Sequence, residues 1–343
     1  MSFDGTPRRM PRAALTAYKE FFICCCMTMA LEIFRAMADA TRLRILALLR
    51  RMELSVGELA QVLGQSQPRV SRHVKILCDA GLAERRKEGS WVFVALGRAD
   101  IIEPIAAALD QWDKAEPDHW AVADVARLAA VRADRAASAA AWFEGHAGEW
   151  DAIRSMHIAE SEVEAAMAAM LGDAAMGTLI DIGTGTGRML ELFGNRAKVA
   201  LGIDRSSEML RLARAKLHDM AHAELRQADL YALPLADAAA DVAILHHVLH
   251  FAQQPGAAVG EAARVLKPGG RLLIADFASH DREDLRTRDA HTRLGFADDQ
   301  MAAWFDAAGL QTARVETLEG GELTVKLWLG RKVGASLREV KAA

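Results

Sequence analysis

The feature that most constrains the fold of this chain is a glycine-rich loop at residues 181–187, which reads Asp-Ile-Gly-Thr-Gly-Thr-Gly. An apolar run at residues 178–182 predicts a buried strand before the loop, and residues 188–193 predict a helix after it. Glycines at such a turn allow positive φ angles and a close approach of the backbone to a ligand. The loop therefore predicts a nucleotide-type site at the end of a strand in an α/β sheet.

Two classes of ligand compete for a loop of this kind. The dinucleotide fingerprint is G-x-G-x-x-G with a pyrophosphate at the helix N-terminus, but Arg188 stands where its third glycine belongs. Asp181 would also repel a pyrophosphate, whereas a carboxylate attracts a cationic ligand that lacks phosphate. The residues therefore favour the cationic ligand over a dinucleotide.

Further strands are predicted at residues 199–203, 241–245 and within 265–276, and they alternate with helical segments. This alternation predicts a doubly wound α/β sheet with its ligand at the carboxyl ends of the strands. Asp204 ends one strand 17 residues after Gly187, where a carboxylate can accept both ribose hydroxyls. Asp229 precedes a later loop, where it can accept an adenine amino group.

In this order the motifs resemble class I S-adenosylmethionine-dependent methyltransferases, especially the ubiquinone/menaquinone C-methyltransferase-like group. The resemblance implies an α/β Rossmann-like fold with a seven-stranded sheet, and the apolar run at residues 323–329 suits its antiparallel final strand. It also implies that the cofactor is S-adenosyl-L-methionine or S-adenosylhomocysteine. The cofactor contacts that it implies are Asp181, Gly183, Gly185, Gly187, Asp204, Met209, Asp229, Leu230 and His246.

Methyl transfer from a sulfonium needs mainly positioning and desolvation, and only a nucleophile with an acidic proton needs a base. Histidines near the expected acceptor pocket are the candidates for that base: His246, His247, His250, His280 and His291. We single out His246 and His250 as candidate catalytic residues. Core packing or backbone capping is the alternative role for each histidine.

Two classes of methyl acceptor are disfavoured. Arsenite methyltransferases work through thiols of their own domain, and no cysteine follows Cys78. Amino-methylating DNA methyltransferases carry N/D-P-P-Y/F beside the pocket, where this chain has Leu245-His-His-Val248. The expected acceptor is a small molecule that these motifs do not identify.

Helix signals fill the earlier part of the chain, where apolar residues recur at helical spacing. Asp39 or Thr41 can cap one helix, and Ser55 with Glu58 forms a capping-box sequence for the next, which Gly64 ends. These signals predict a compact helical unit.

The helix that follows has Pro68 in its first turn, and Val70, Val74 and Leu77 face inward. Residues 82–96 form two strand-like runs around a basic turn, which predicts a β-hairpin wing. The polar face of such a helix can contact base edges and phosphates in a major groove. The candidate DNA contacts on helix and wing are Gln67, Arg69, Ser71, Arg72, His73, Lys75, Arg86 and Lys87.

Residues 31–96 resemble the winged helix-turn-helix repressors of the ArsR/SmtB family, through Met37–Leu46, Ser71–Lys75 and Ala80–Leu82. The resemblance implies that the chain binds double-stranded operator DNA as a homodimer. It also implies dimerisation through flanking helices, which residues 99–140 would supply.

The metal sites of that family do not transfer to this chain, and we predict no metal site. Ser55-Val-Gly57 stands where arsenic sensors place a thiol pair. In the later helix, Asp110, Asp113 and His119 are too scattered to form a ligand set. A soft metal needs several thiolates around one ion, and Cys24, Cys25 and Cys26 would provide them only in an ordered amino-terminal segment.

A chain of 343 residues exceeds what one hydrophobic core usually serves, so we predict a multidomain protein. An α+β winged helix-turn-helix unit precedes the α/β methyltransferase unit. The predicted divisions are a tail or misassigned start at 1–28, the DNA-binding domain at 29–98, a dimerisation or linker region at 99–140, the methyltransferase domain at 141–333 and a tail at 334–343.

Charge divides the chain in the same way. Residues 29–98 hold 12 Lys and Arg against 7 Asp and Glu, whereas residues 99–343 carry a net charge of −11. This asymmetry fits a first domain that faces nucleic acid. No apolar run is long enough to span a membrane, and the four cysteines give no disulfide framework. We therefore expect a cytoplasmic protein that does not contact a membrane.

Two functions follow from this combination. One is a transcriptional regulator of ArsR type whose methyltransferase domain senses the cofactor or couples methylation to gene regulation. The alternative is an active small-molecule methyltransferase with an autoregulatory DNA-binding domain.

Overall fold

The computed structural model describes residues 29–88, 91–115, 122–131, 133 and 160–334. Contacts divide the chain into two compact units, whose described residues are chiefly 29–87, 91–115 and 122–131 in the first and 160–334 in the second. The first unit is helical with a small sheet and the second is an α/β sheet, which confirms the expected multidomain fold class. The predictions for both tails, Cys24 to Cys26 and His119 lie outside the described residues.

The first unit has the elements of a winged helix-turn-helix. Its three-stranded sheet has the order β1-β3-β2, in which β2 and β3 are the predicted wing and β1 is an unpredicted two-residue strand. Two residues are too short to show an alternating pattern. The helices are α1 at 29–37, α2 at Ala40–Leu49, α3 at Val56–Leu63, α4 at Gln67–Asp79, α5 at Ala99–Ala115 and α6 at 122–131, and the strands are β1 at Leu54–Ser55, β2 at Ala83–Glu88 and β3 at Trp91–Leu96.

The helix ends follow the predicted capping chemistry. Asp39 caps α2 by accepting the backbone N–H of Arg42 over 3.1 Å. Ser55 and Glu58 form the capping box of α3, in which each side chain accepts the backbone N–H of the other residue. Gly64 ends α3 in the left-handed conformation, with φ of 65°. These caps fix where α4 begins relative to α3.

Helix α6 is attached to the first unit by buried ionic contacts. The Arg44 guanidinium donates two hydrogen bonds of 2.6 Å to the carboxylate of Asp124, which is 4% exposed. Arg127 donates to the same carboxylate and to the carbonyl of Val62. Leu128 joins the hydrophobic core of the unit. Helix α6 is therefore part of the first unit.

The second unit has a seven-stranded sheet with the order β6-β5-β4-β7-β8-β10-β9. Strands β4 to β8 run parallel to one another, and β10 is antiparallel to both β8 and β9. Its strands are β4 at Met176–Ile182, β5 at Ala197–Asp204, β6 at Ala223–Gln227, β7 at Ala240–His246, β8 at Leu266–Phe277, β9 at Leu310–Leu318 and β10 at Val325–Lys332. The described helices are α7 at Glu160–Leu171, α8 at Arg188–Phe193, α9 at Ser207–Lys216, α10 at Pro255–Val265, α11 at Asp284–Arg288 and α12 at Asp298–Ala307.

The two faces of this sheet carry separate hydrophobic clusters. Successive residues of β4, such as Leu179 and Ile180, enter different clusters, because side chains alternate across a strand. The structure confirms the antiparallel final strand. The edge strands β6 and β9 were not predicted, because most of their side chains are at least partly exposed and give no apolar pattern. Within the described ranges, no helix combines the length and apolar character of a membrane span.

Candidate functional site

The predicted glycine loop lies at the carboxyl end of β4. Gly183, Gly185 and Gly187 have φ angles of 75°, 52° and 85°, which glycine adopts far more readily than other residues. A Cβ at Gly183 would lie 2.4 Å from a methyl group of Val248. The N–H of Gly183 donates to the carbonyl of Ile203 over 2.7 Å. The loop is therefore held closely against the end of β5 and the segment after β7.

Asp204 connects the glycine loop to the end of β5. Its Oδ2 accepts the N–H of Gly185 and its Oδ1 accepts the N–H of Ser206, each over 2.8 Å. Burial raises the pKa of the Asp204 carboxyl above its usual value, although these backbone donors favour the ionised form. Each carboxylate oxygen has a second lone pair, which can accept a ligand hydroxyl. The geometry suits the ribose-binding role predicted for Asp204.

Asp181 lies in β4 two residues before Gly183, and its side chain is 1% exposed. A carboxyl at this depth favours a cationic ligand in the loop when it is ionised, because water screens its charge little. Met209 is buried in the first turn of α9. Both residues lie at the same edge of the sheet as the glycine loop.

The segment after β6 lies next to Asp204, because the N–H of Ala228 donates to the Asp204 carbonyl over 3.0 Å. Asp229 is exposed, and its Oδ1 accepts the N–H of Tyr231 over 3.0 Å. Leu230 is half-buried. The structure thus brings together the predicted cofactor residues that follow β4, β5 and β6.

His246 is the last residue of β7 and is buried. Its Nε2 lies 3.4 Å from Oε1 of Glu160, at the start of α7, and the two side chains form an ion pair when the imidazole is protonated. The ring also packs edge-on against His247, with centroids 4.6 Å apart. Sequence reasoning did not identify Glu160, which is distant along the chain and belongs to no motif.

The second candidate catalytic residue, His250, is paired with a buried carboxylate. Its Nδ1 lies 2.8 Å from Oδ1 of Asp276, at the end of β8. The Asp276 carboxylate also accepts the N–H groups of Leu249 and Phe277 over 2.9 and 2.8 Å. Burial raises the pKa of Asp276 to about 6, although positive charge on His247 and these donors oppose the rise. Sequence reasoning placed Asp276 at a strand end but gave it no role.

Two further candidate histidines, His291 and His280, have different surroundings. His291 is buried, and its ring lies parallel to Phe277 and 4.3 Å from the His250 ring centroid. His280 accepts the N–H of Arg282 at Nδ1 over 3.2 Å, which is the backbone-capping alternative predicted for it. A cluster of His246, His247, His250, His291 and Asp276, here called the histidine cluster, therefore occupies the ends of β7 and β8.

The predicted DNA-contacting residues divide into exposed and engaged side chains. Those exposed to solvent are Gln67, Arg69, Arg72, Lys75 and Lys87, although Lys75 also pairs with Asp79 over 2.7 Å. The Nδ1 of half-buried His73 lies 3.6 Å from Oδ1 of Asp39, which directs this ring toward the cap of α2.

Two wing arginines are also engaged within the first unit. Arg86 pairs with Glu53 over 3.2 Å, and Arg85, which was not predicted, donates to the carbonyl of half-buried Ser71 over 2.6 Å. The second of these bonds ties the wing to α4. The solvent-facing positive charge of α4 therefore lies mainly on Arg69, Arg72 and Lys75.

Comparison with known proteins gives one family match in each unit. Residues 39–85 match the family described as bacterial regulatory protein, arsR family, and residues 180–274 match the family described as methyltransferase domain. The second match supports S-adenosylmethionine or S-adenosylhomocysteine as the cofactor. A chain from the solved complex of a putative methyltransferase with the Trm112 activator from Haloferax volcanii is similar in structure. The similarity covers 56% of this chain and 98% of that chain, at 20% identity and a TM-score of 0.48.

Two curated relatives are each similar to part of the chain. The arsenic resistance transcriptional regulator ArsR1 of Pseudomonas putida is 37% identical over 98 residues, which are 28% of this chain and 75% of that protein. The ubiquinone/menaquinone biosynthesis C-methyltransferase UbiE of Syntrophotalea carbinolica is 39% identical over 109 residues, 31% of this chain and 46% of that protein.

The chain spans just over half the length of two other relatives. The chain spans 57% of the arsenical resistance operon repressor of Escherichia coli and 55% of a phosphatidylethanolamine N-methyltransferase of Cereibacter sphaeroides. The regulator match, which covers three quarters of a relative, nevertheless agrees with the helices, wing and caps described above. This chain therefore belongs to the ArsR family of bacterial regulatory proteins, and its second unit contains a match to the methyltransferase-domain family.

Proposed function

We propose that this chain is a transcriptional regulator whose methyltransferase domain binds S-adenosyl-L-methionine or S-adenosylhomocysteine and thereby changes the affinity of the first unit for operator DNA. The observation that carries the proposal is the bonding of Asp204 to the glycine loop, in a chain that also has an ArsR-type first unit. The working form is a cytoplasmic homodimer.

The energetic requirement of such a sensor is modest. A ligand shifts DNA affinity only if it binds two conformations of the dimer with different affinities. Couplings of about 1–3 kcal/mol are typical, and they correspond to changes of about 5- to 150-fold in affinity. The ligand needs to bind one conformation more tightly than the other, and the site does not need to convert the ligand into a product.

The test uses the full chain and operator fragments that the chain itself selects from genomic DNA. Fluorescence anisotropy would give the Kd for DNA without ligand, with S-adenosylmethionine and with S-adenosylhomocysteine. We expect at least one ligand to change the Kd by about 5-fold or more. Unchanged DNA affinity, with calorimetry showing a saturated site, would contradict the sensing role but leave the cofactor site intact.

A matched pair of variants links this response to the site. Asp204→Ala removes the carboxylate that holds Gly185, whereas Asp219→Ala changes a carboxylate whose side chain is 92% exposed. We expect Asp204→Ala to abolish the ligand response and Asp219→Ala to retain it. DNA affinity without ligand should be the same for both variants. Equal ligand responses in the two variants would place the effector elsewhere.

A second candidate function is methylation of a small molecule, and the pairing of His250 with Asp276 favours it. A buried carboxylate that orients an imidazole is an arrangement for removing an acidic proton from an acceptor. Incubation with methyl-labelled S-adenosylmethionine and metabolite extracts would test for transfer. We expect a labelled product that His250→Gln reduces, and its absence across broad extracts would count against catalysis.

A further inference from the structure

Three buried side chains of the histidine cluster offer metal-binding atoms close together. His247, His250 and Asp276 each place one such atom within 4.8 Å of the other two. Their exposed fractions are 3%, 2% and 0%. Among the residues that the structure describes, this is the one group of three or more His, Cys, Asp or Glu side chains with such spacing.

The backbone at His247 adopts a conformation that L-residues rarely use. Its φ is 51°, in the left-handed region, where non-glycine residues are uncommon and often mark functional sites. The N–H of His247 donates to the carbonyl of Ala275, in β8, over 2.9 Å. The unfavourable conformation is thus fixed by the sheet, and it places His247 beside the other two residues.

The surroundings restrict how these side chains can move. Asp276 accepts backbone N–H groups from Leu249 and Phe277, which orient its carboxylate. The His250 ring packs against Phe251 and Phe277, with centroid distances of 4.0 and 4.9 Å. Outer contacts of this kind hold metal ligands in position in metalloproteins. These contacts orient His250 and Asp276 without an ion.

The donor set has a defined chemical preference. Two imidazoles and one carboxylate bind first-row divalent ions such as Zn²⁺, Fe²⁺ and Co²⁺, whereas Mg²⁺ and Ca²⁺ prefer oxygen ligands. Donor atoms about 2.0–2.2 Å from such an ion lie about 3–3.5 Å apart. The 2.8 Å between Nδ1 of His250 and Oδ1 of Asp276 is close to that spacing.

We propose that His247, His250 and Asp276 bind one divalent transition-metal ion at the carboxyl ends of β7 and β8. The site adjoins the glycine loop, because Val248, between the two histidines, is the side chain that a Cβ at Gly183 would strike. An ion with three protein ligands keeps a coordination position for an oxygen of a further ligand. Metal binding here does not depend on cofactor sensing, since the three ligands do not include Asp204.

This site differs from the metal sites considered in the sequence. Those were the thiol and later-helix positions of the ArsR family, and they lie in the first unit. The three ligands proposed here come from the residue after β7, a short 3-10 helix at Leu249–Phe251 and the end of β8. Their sequence separation concealed the set.

The experiment uses the full chain in which Cys24, Cys25 and Cys26 are changed to Ser, so that an amino-terminal thiolate site cannot contribute. The protein is treated with a chelator, dialysed and titrated with Co²⁺ while its visible absorption is recorded. We expect one Co²⁺ per chain, with bands of nitrogen and oxygen ligation that Zn²⁺ displaces.

Variants assign the ion to its ligands. His247→Asn suits this position because Asn tolerates positive φ, and Asp276→Asn retains an oxygen that accepts the backbone N–H groups. We expect each variant to weaken Co²⁺ binding by more than about 100-fold. His218→Gln, at a side chain 70% exposed, is the matched control and should leave the affinity unchanged.

Several results would overturn the proposal. One is the absence of stoichiometric Co²⁺ binding. The others are equal Co²⁺ affinity of the His247→Asn and His218→Gln variants, and sulfur ligation detected by X-ray absorption. Failure to bind Co²⁺ would leave the His250 and Asp276 pair as an acid-base pair without metal. Circular dichroism checks that each variant folds. If a variant does not fold, X-ray absorption of the Co²⁺-loaded parent chain tests for imidazole ligands instead.

Discussion

Helix α4 and the histidine cluster use polar side chains in opposite ways. The candidate DNA contacts of α4 lie within 13 consecutive residues, and its Arg and Lys side chains are exposed. The histidine cluster draws on residues between His246 and His291, and all its members are buried. A surface for DNA needs only one helix face, whereas a buried polar cluster needs a sheet to bring distant residues together. The two regions should therefore respond differently to substitution.

The largest effect is expected at the glycine loop beside the histidine cluster. Gly183→Ala combines a φ of 75° with a Cβ only 2.4 Å from Val248. We expect a loss of about 3 kcal/mol or more in the stability of the second unit. Hydrogen exchange measured by mass spectrometry would report the two units separately.

Glycines with a similar backbone conformation in open surroundings serve as controls for this substitution. Gly269, in the second unit, has φ of 79°, and Gly64, in the first, has φ of 65°. A Cβ added at either residue would meet no atom within 4 Å. Alanine at either residue should lower the free energy of unfolding by about 1–2 kcal/mol, and only in the unit that contains the substitution. If Gly183→Ala costs no more than Gly269→Ala, the close contact with Val248 is unimportant.

An intermediate effect is expected on α4. Arg72 is exposed, so Arg72→Ala should leave stability unchanged and weaken operator binding by about 1–3 kcal/mol. His73→Ala should weaken it less, because the His73 ring faces Asp39. Anisotropy titrations at several salt concentrations would measure both, with Arg211→Ala in the second unit as the control. A larger loss for His73→Ala would show that the ring turns toward DNA.

The smallest effect is expected from a partly exposed ion pair in the second unit. Burial opposes ionisation of Asp241, but the Lys267 ammonium at 2.8 Å and the N–H of Thr178 outweigh it and lower the pKa of that carboxyl. Because the pKa of Asp241 is lower in the folded chain than in the unfolded chain, its carboxylate stabilises the fold at pH values above the unfolded pKa, which is near about 4. This stabilisation is lost as the pH falls through the pKa of the folded chain.

Lys267→Met should therefore lower the free energy of unfolding by less than about 1 kcal/mol at pH 7. The difference in this free energy between the variant and the unmodified chain should shrink below about pH 4. Urea unfolding at a series of pH values measures it. Lys198→Met, at an exposed residue of β5, is the control and should show no such pH dependence. A cost that stays constant down to about pH 3 would assign the effect to packing of the lysine stem.

Local signals account for what the sequence predicted well. The capping box of Ser55 and Glu58, the end of α3 at Gly64 and the glycine loop each depend on a few adjacent residues. The pairing of His250 with Asp276 depends instead on the register of β7 against β8, in which His246 lies opposite Ala275. Sequence patterns identify strands but not which residues of two strands lie side by side.

Helix α6 has a consequence for how such a chain can be built by gene fusion. Because Asp124 is bound by Arg44 and Arg127, a gene fragment that stops after the wing would leave Arg44 without its buried counterion. We therefore expect a stably folded first unit to extend through Val131, which still packs in its hydrophobic core. A gene fusion that attaches a different second unit should preserve the first unit only if its junction falls beyond that residue.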